Sequence, residues 1–273
     1  MKFAINYSPQ AAALIAEGRI EIDYFKTPPW PDMIAKAKMH RPVAVHFNLR
    51  AGNGRLHQEN WGNVHKLLDA NATRYVNLHL AADKRDGLPF DCDNPTPEDS
   101  EHIIANLNAD IETAVRQFGS ERVIVENVPY RVGEGHVIRT CVLPELISEL
   151  IVSHNCGLLL DISHARISAN TLGMDARDYI RALAVDRLRE LHFTGLHDLG
   201  GGHLMDHLPV LDSDWPWLEW VLAEIETKKW GMPHMLAFEY GGDGHPFFAA
   251  NSDEAVIARD VPRMYELCRA VES

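Results

Sequence analysis

Short apolar runs alternate along this chain with longer amphipathic stretches. The clearest run is Gly157-Leu158-Leu159-Leu160-Asp161-Ile162-Ser163-His164, where apolar residues lead into an acid and a histidine follows three positions later. A continuous apolar run of this length reads as a strand buried on both faces of a parallel sheet. It ends where the polar residues begin, so Asp161 stands at its C-terminal end and His164 in the loop beyond. A plainer reading makes Asp161 the N-cap of a following helix, a position that aspartate favours. Seven further runs read as strands: residues 3–8, 21–26, 42–47, 75–80, 122–128, 188–193 and 234–240.

Between these runs the apolar residues recur at helical spacing. Helices are predicted over 9–17, 31–40, 58–72, 144–154, 175–183, 214–229 and 253–271. A longer one carries Ile103, Ile104, Leu107, Ile111, Ala114, Val115 and Phe118 and stops at Gly119. Pro31 sits in a first turn, where proline is well tolerated. Residues 50–54 and 197–207, the latter with Gly200-Gly201-Gly202, read as loops. Eight strands alternating with helices predict one α/β domain over residues 1–273, a (β/α)8 TIM barrel. A doubly wound open sheet is the runner-up, but no Gly-x-Gly-x-x-Gly follows the first strand.

Composition narrows the function classes. The chain has 273 residues, 46% hydrophobic and 24% charged, with a net charge of −13. An acidic balance argues against a nucleic-acid partner, which would call for a basic footprint. No signal peptide is visible, and no apolar run reaches the ~18 residues of a membrane span. The four cysteines form no Cys-x-x-Cys pair and read as reduced thiols, which points to the cytoplasm. Fifteen histidines is the unusual count, because several fall inside apolar runs where burial is costly without a partner.

Those histidines and several acids share one position. His46 ends the third strand, His79 the fourth, Glu126 the fifth and Asp161 the sixth, with His164 just beyond. His192 ends the seventh and Glu239 the eighth, and the loop after the seventh adds Asp206 and His207. In a barrel these ends converge on one mouth, the face that carries the chemistry. A single strand histidine is more often a satisfied core residue than a ligand; the repetition on six strands is what points to metal. Clustered carboxylates repel one another, and divalent cations remove that penalty. Imidazole with carboxylate suits zinc, iron and manganese. Nine candidate ligands exceed the four to six of one ion, so two or three ions are expected. Glu126, Asp161, His164, His192 and Glu239 are the expected catalytic residues. His40, His57, His65, His102, His136 and His154 read as surface residues, while His197, His203 and His245 lie in loops near the mouth.

Four stretches carry a family resemblance: 122–130 (Arg-Val-Ile-Val-Glu-Asn-Val-Pro-Tyr), 157–164, 168–175 (Ser-Ala-Asn-Thr-Leu-Gly-Met-Asp) and 189–195 (Arg-Glu-Leu-His-Phe-Thr-Gly). Together they resemble the multinuclear non-heme iron-dependent oxidases, xylose-isomerase-like barrels related to endonuclease IV. The likeness is densest over residues 120–220. It implies a barrel holding two or three irons that uses dioxygen to modify ribosomally made peptides, often at cysteine. Position by position, His46, His79, Glu126, Asp161, His192, Asp206, His207 and Glu239 match the family's metal ligands. The family usually has Asn where this chain has His164, and it spaces its later acid and histidine by one residue where Asp206 and His207 are adjacent. His203 is therefore an alternative to one of that pair.

The resemblance implies a peptide or thiol-containing small-molecule substrate. No extra domain that would bind a leader peptide is evident, so a separate substrate-recognition protein is expected. Asn127 and Tyr130 are candidates to orient the ligands. The rival reading is redox-silent zinc or manganese catalysis, by a sugar isomerase or epimerase or an endonuclease-IV-like phosphodiesterase, which Asp161-x-x-His164 favours. A sugar enzyme should also show a lysine at a strand end, and none stands out. A non-catalytic metal-binding protein is the third reading.

Overall fold

Strands and helices alternate along almost the whole chain in the computed structural model, which describes residues 1–134 and 137–271. The first half contains β1 (Lys2–Asn6), α1 (Pro9–Ala16), β2 (Tyr24–Thr27), α2 (Pro31–Lys38), β3 (Val43–Val45), β4 (Arg50–Ala51), α3 (Trp61–Ala70), β5 (Val76–Leu80), α4 (Pro97–Phe118) and β6 (Val123–Glu126). There follow α5 (Pro144–Ser153), β7 (Gly157–Asp161), α6 (Ile162–Leu172), α7 (Ala176–Ala182), β8 (Leu188–Phe193), β9 (Gly195–Asp198), β10 (Leu204–Leu208), α8 (Trp215–Glu226), β11 (Met235–Phe238), α9 (Pro246–Ala250) and α10 (Glu254–Ala270). His136, read above as a surface residue, lies outside the described residues.

Local chemistry explains the helix starts. Pro9, Pro31, Pro97 and Pro144 each open a helix, where the missing N–H costs nothing. Ser8 Oγ accepts from Ala11 N at 3.1 Å. Thr96 and Asp99 form a reciprocal capping box at the start of α4, which satisfies two orphan donors at once.

The chain divides into two compact units. The first comprises residues 1–46, 66–74 and 190 onward. Its parallel strands run in the order β3-β2-β1-β11-β8, with β9 and β10 as a separate antiparallel pair. Phe3, Ile5, Phe25, Phe193, Leu236 and Phe238 are fully buried. Asp23 anchors the start of this unit: its carboxylate accepts from Phe3 N at 2.8 Å, from Lys2 Nζ at 3.1 Å and from the Arg269 guanidinium of α10 at 2.8 and 2.9 Å.

The second unit comprises residues 47–65 and 75–189, with strand order β7-β6-β5-β4. Leu78, Leu80, Val125, Leu158, Leu159 and Leu160 are fully buried in it, as are Ile103, Leu107, Ile111 and Ala114 on one stripe of α4. Asp110 of α4 is buried too. It accepts from Gly52 N and Gly54 N at 2.9 Å each and from Leu56 N at 3.1 Å, holding the segment after β4. Gly157 is required at the start of β7, because a Cβ there would lie 2.5 Å from the Arg189 side chain.

The parallel α/β organisation is as the apolar pattern predicts, with four corrections. Nine parallel strands, not eight, are present among the described residues; the extra one is β4, two residues inside the expected loop 50–54. β2 begins at Tyr24 instead of residue 21, because Asp23 is spent on Phe3 N and Arg269. Residues 197–207 are not a loop but part of the β9–β10 hairpin. His164 lies in the first turn of α6, not in a loop.

Asp23 yields a stability test. Burial alone would raise its carboxyl pKa, but Phe3 N, Arg269 and Lys2 outweigh that and hold it below the usual range. The stabilisation is therefore fully present above the unfolded value, about 3.9, and is lost as pH falls through the lower folded value. Asp23→Ala is expected to cost about 1–3 kcal/mol, the scale of hydrogen bonds to charged groups. Thermal melts at pH 7 should show that loss, and the gap between variant and wild type should narrow as pH falls from about 3.9 through the lower folded value.

Candidate metal site

Strand register places the candidate ligands of the first unit. Side chains alternate along a strand, so positions two apart share a face. Lys26 of β2 pairs with Ala44 of β3, which puts His46, two residues on, on the Lys26 face. His192 of β8 pairs with Ala237 of β11, which puts Glu239 on the His192 face. Glu190 joins that face two residues before His192. Ligand atoms of His46, His192 and Glu239 consequently lie within 4.8 Å of one another. His192 is fully buried; its Nδ1 is 3.3 Å from Glu239 Oε1 and its Nε2 is 2.8 Å from Glu190 Oε1. Lys26 Nζ donates to Glu239 Oε1 at 2.6 Å and also contacts His192 Nε2.

Asp206 and His207 reach their places by a β-bulge. Met205 pairs with His197 and Leu208 with Gly195, so Asp206 and His207 together oppose Leu196 alone. His207 takes a left-handed backbone, φ 58°, and Gly195 is required opposite, because a Cβ would run into the Pro209 carbonyl. Adjacent residues of a regular strand face opposite ways; a bulge re-aims one of them. Ligand atoms of Asp206 and His207 thus come within 4.8 Å of each other despite having no spacer. His203 sits exposed at the hairpin tip, and the bulge brings Asp206 and His207 together without it. His197 Nε2 bonds the Pro209 carbonyl at 2.7 Å, and His245 is exposed.

The second unit holds the other four candidates. His79 of β5 pairs directly with Glu126 of β6, and His79 Nε2 lies 3.2 Å from Glu126 Oε2. Glu126 pairs with Leu159, so Asp161, two residues on, shares its neighbour's face; carboxylate oxygens of Glu126 and Asp161 approach within 4.8 Å. His164 Nδ1 is 3.6 Å from Asp161 Oδ2 and 3.8 Å from Glu126 Oε1. Asp161 is also the N-cap of α6, its Oδ1 accepting from His164 N at 2.8 Å. The capping and ligand readings of this residue are compatible, because each uses a different oxygen.

Asn127 clamps the backbone of Asp161 from both sides: its Nδ2 donates to Asp161 O and its Oδ1 accepts from Asp161 N, both at 2.9 Å. Tyr130, the other expected orienting residue, turns its hydroxyl to Asp93 at 3.0 Å. Burial, with Asp93 beside it, pushes that phenol upward.

Three histidines share one arrangement. His79 Nδ1 meets the Leu49 carbonyl at 3.1 Å, His164 Nδ1 the Asn127 carbonyl at 3.0 Å, and His207 Nδ1 the Glu239 carbonyl at 2.9 Å. A carbonyl can only accept, so each Nδ1 carries a proton, and Nε2 is the ring atom left to face another partner, as His79 Nε2 faces Glu126. This is how proteins orient metal-ligating imidazoles. Glu239 shows the matching electrostatics: burial opposes its charge, but His192, Lys26, His207 and His46 hold its carboxyl well below the usual range. The donor set and the carbonyl-anchored rings fit a divalent transition metal in both units. Lys26 is the exception, an ammonium at the place where Glu239 and His192 would share an ion.

A family model described as "RiPP precursor modification enzyme MbnB/TglH/ChrH" matches residues 21–235. The chain belongs to this family. It is the multinuclear iron oxidase family that residues 122–130, 157–164 and 189–195 resemble. Among curated relatives, a UPF0276 protein of Acaryochloris marina is 29% identical over 160 residues, 58% of this chain and 56% of its own length. Another from Rhizorhabdus wittichii is 25% identical over 233 residues, covering 84% and 80%. The chain thus spans little more than half of the first relative. Solved structures show the fold type. A D-psicose 3-epimerase aligns over 99% of both chains with TM-score 0.56 at 15% identity. A family 2 AP endonuclease of Brucella melitensis aligns over 96% of this chain and 98% of its own, at 0.53 and 18%. A protein described as a xylose isomerase-like TIM barrel fused to a 4-hydroxyphenylpyruvate dioxygenase aligns over 97% of this chain and 44% of its own, at 0.55 and 16%.

Sequence reasoning missed Lys26 and Glu190 in this MbnB/TglH/ChrH chain. A lone strand lysine reads as solvated, since lysine is almost never buried unless paired. Glu190 carried a usable signal, its period-two spacing from His192. No helix among the described residues is long and apolar enough to cross a membrane.

Asp161 separates capping from metal binding. Asp161→Ala removes the α6 cap, which costs about 1 kcal/mol, and should lower the melting temperature of metal-free protein. Asp161→Asn keeps an equally good cap. It should melt with the wild type when metal-free, yet retain less metal after dialysis, measured by elemental analysis.

Proposed function

We propose that this chain is a dioxygen-dependent, multinuclear non-heme iron oxidase that modifies a peptide or a thiol-containing small molecule. Two or three irons would be held by His46, His79, Glu126, Asp161, His164, His192, Asp206, His207 and Glu239. The observation that carries the reading is the set of three histidines anchored to carbonyls through Nδ1, beside buried carboxylates, in a chain of a RiPP-modifying family. Iron, when bound, supplies redox change and activation of dioxygen. The protein's part is positional: Glu126 and Asp161 supply negative charge away from water, and Asn127 fixes the strand end that carries Asp161. The Leu49, Asn127 and Glu239 carbonyls hold the rings. A separate recognition protein would deliver the peptide. The four cysteines, all buried as thiols, suit a reducing cytoplasmic setting.

One observation favours a second reading. Lys26 supplies the strand-end lysine that a redox-silent sugar epimerase or isomerase would use beside zinc or manganese, with Glu190 as its second acid.

Metal content after purification without chelator or nickel resin, with electron paramagnetic resonance and Mössbauer spectra on the same sample, separates the two. The oxidase reading expects two or three irons per chain with coupled ferric and ferrous signals. Zinc or manganese retained without iron, even after anaerobic iron loading, would overturn it. His164→Asn should keep its iron, because relatives of this type carry Asn there; complete loss of metal in that variant would count against the assignment.

A further inference from the structure

We infer that Lys26 is an internal cation that takes the place of one metal ion at the His46, His192 and Glu239 set. The inference rests on the reading of those three residues as a metal-binding set. It makes the chain's metal complement one ion smaller than its ligand count implies.

Lys26 is only 3% exposed. Its Nζ donates to Glu239 Oε1 at 2.6 Å, touches His192 Nε2, and lies 3.3 Å from His192 Nδ1 and 3.8 Å from Glu190 Oε1. A zinc- or iron-sized ion bound to Glu239 and His192 would stand about 2.0–2.2 Å from each ligand atom. That is the volume the ammonium fills. Size and charge both forbid sharing, since two cations at such separation in a buried site repel strongly.

The buried acids here already share a cation. Glu190 and Glu239 are two acids facing one ammonium, with the His192 imidazole between them. Moving Lys26 aside to admit a metal would leave a buried charge without its partners, a costly change. The backbone offers little slack, because Lys26 is paired on both sides, with Asn6 of β1 and Ala44 of β3. Charge and hydrogen bonding that an ion would supply are supplied here by a side chain.

Iron per chain, measured by elemental analysis after anaerobic ferrous loading and desalting, tests this in the full-length protein. Lys26→Met, which keeps length and removes charge, should bind one more equivalent than the wild type. The double variant Lys26→Met/His192→Ala should lose that equivalent. Metal-free Lys26→Met should melt below the wild type and show a larger rise on adding ferrous ion. Should Lys26→Met fail to fold, Lys26→Gln serves, since it removes the charge and keeps a hydrogen-bonding group. It should also bind one more equivalent than the wild type, and a metal content equal to the wild type's would overturn the inference. Equal metal content in wild type and folded Lys26→Met would overturn it as well, leaving the metal reading intact. A wild type that holds no metal would overturn the proposed function, and this inference would fall with it.

Discussion

Carboxylates removed from water set the terms for everything at these strand ends. Glu126, Asp161 and Glu239 are each nearly or fully buried, and an ionised carboxylate in such a place is stable only against cations or a shell of donors. The surrounding residues are an inventory of such partners. Asn77 donates to Glu126 at 3.4 Å, the amide of α6 donates to Asp161, and Lys26 with His192 faces Glu239. The parallel sheet makes this economical, because strands buried on both faces leave only their ends for polar chemistry.

Register turns that requirement into geometry. Pairing of His79 with Glu126 and of Ala237 with His192 sets ligands side by side with no loop to position them. Such precision belongs to regular elements and is hard to achieve on loops. The exception is the β10 bulge, where an irregularity performs the same task for Asp206 and His207. A left-handed residue other than glycine or asparagine costs free energy, and it persists where surrounding contacts determine it; the His207 ring bond to the Glu239 carbonyl is one such contact.

Much of this was legible in the residues alone. β8 falls on the apolar run 188–193, and α4 on its heptad-like stripe up to Phe118, because burial on both faces or on one stripe leaves an unambiguous pattern. Nine candidate ligands were visible because acids and histidines end apolar runs. What stayed hidden depended on partners far apart in sequence. Lys26 meets Glu239 across 213 residues. β4 is two residues long and exists only through its pairing with His79 and Leu80. The hairpin at 195–208 has a glycine turn but strands too short and polar to show alternation. α6 was veiled by Asp161, whose capping role and ligand role looked like rivals in a linear text.

The carbonyl anchors on His79, His164 and His207 have a consequence for how metal identity is decided. Rings already anchored through Nδ1 lose their rotational freedom when the chain folds, so an arriving ion would not need to order them. Folding and metallation are then separable events, unlike those of zinc fingers, where the ion makes the fold. An ion bound to rings anchored in advance would be chosen less by the rings than by which suitable cation the cell makes abundant, since affinity order alone favours the wrong metals. Selection would then pass from the protein to the cellular supply.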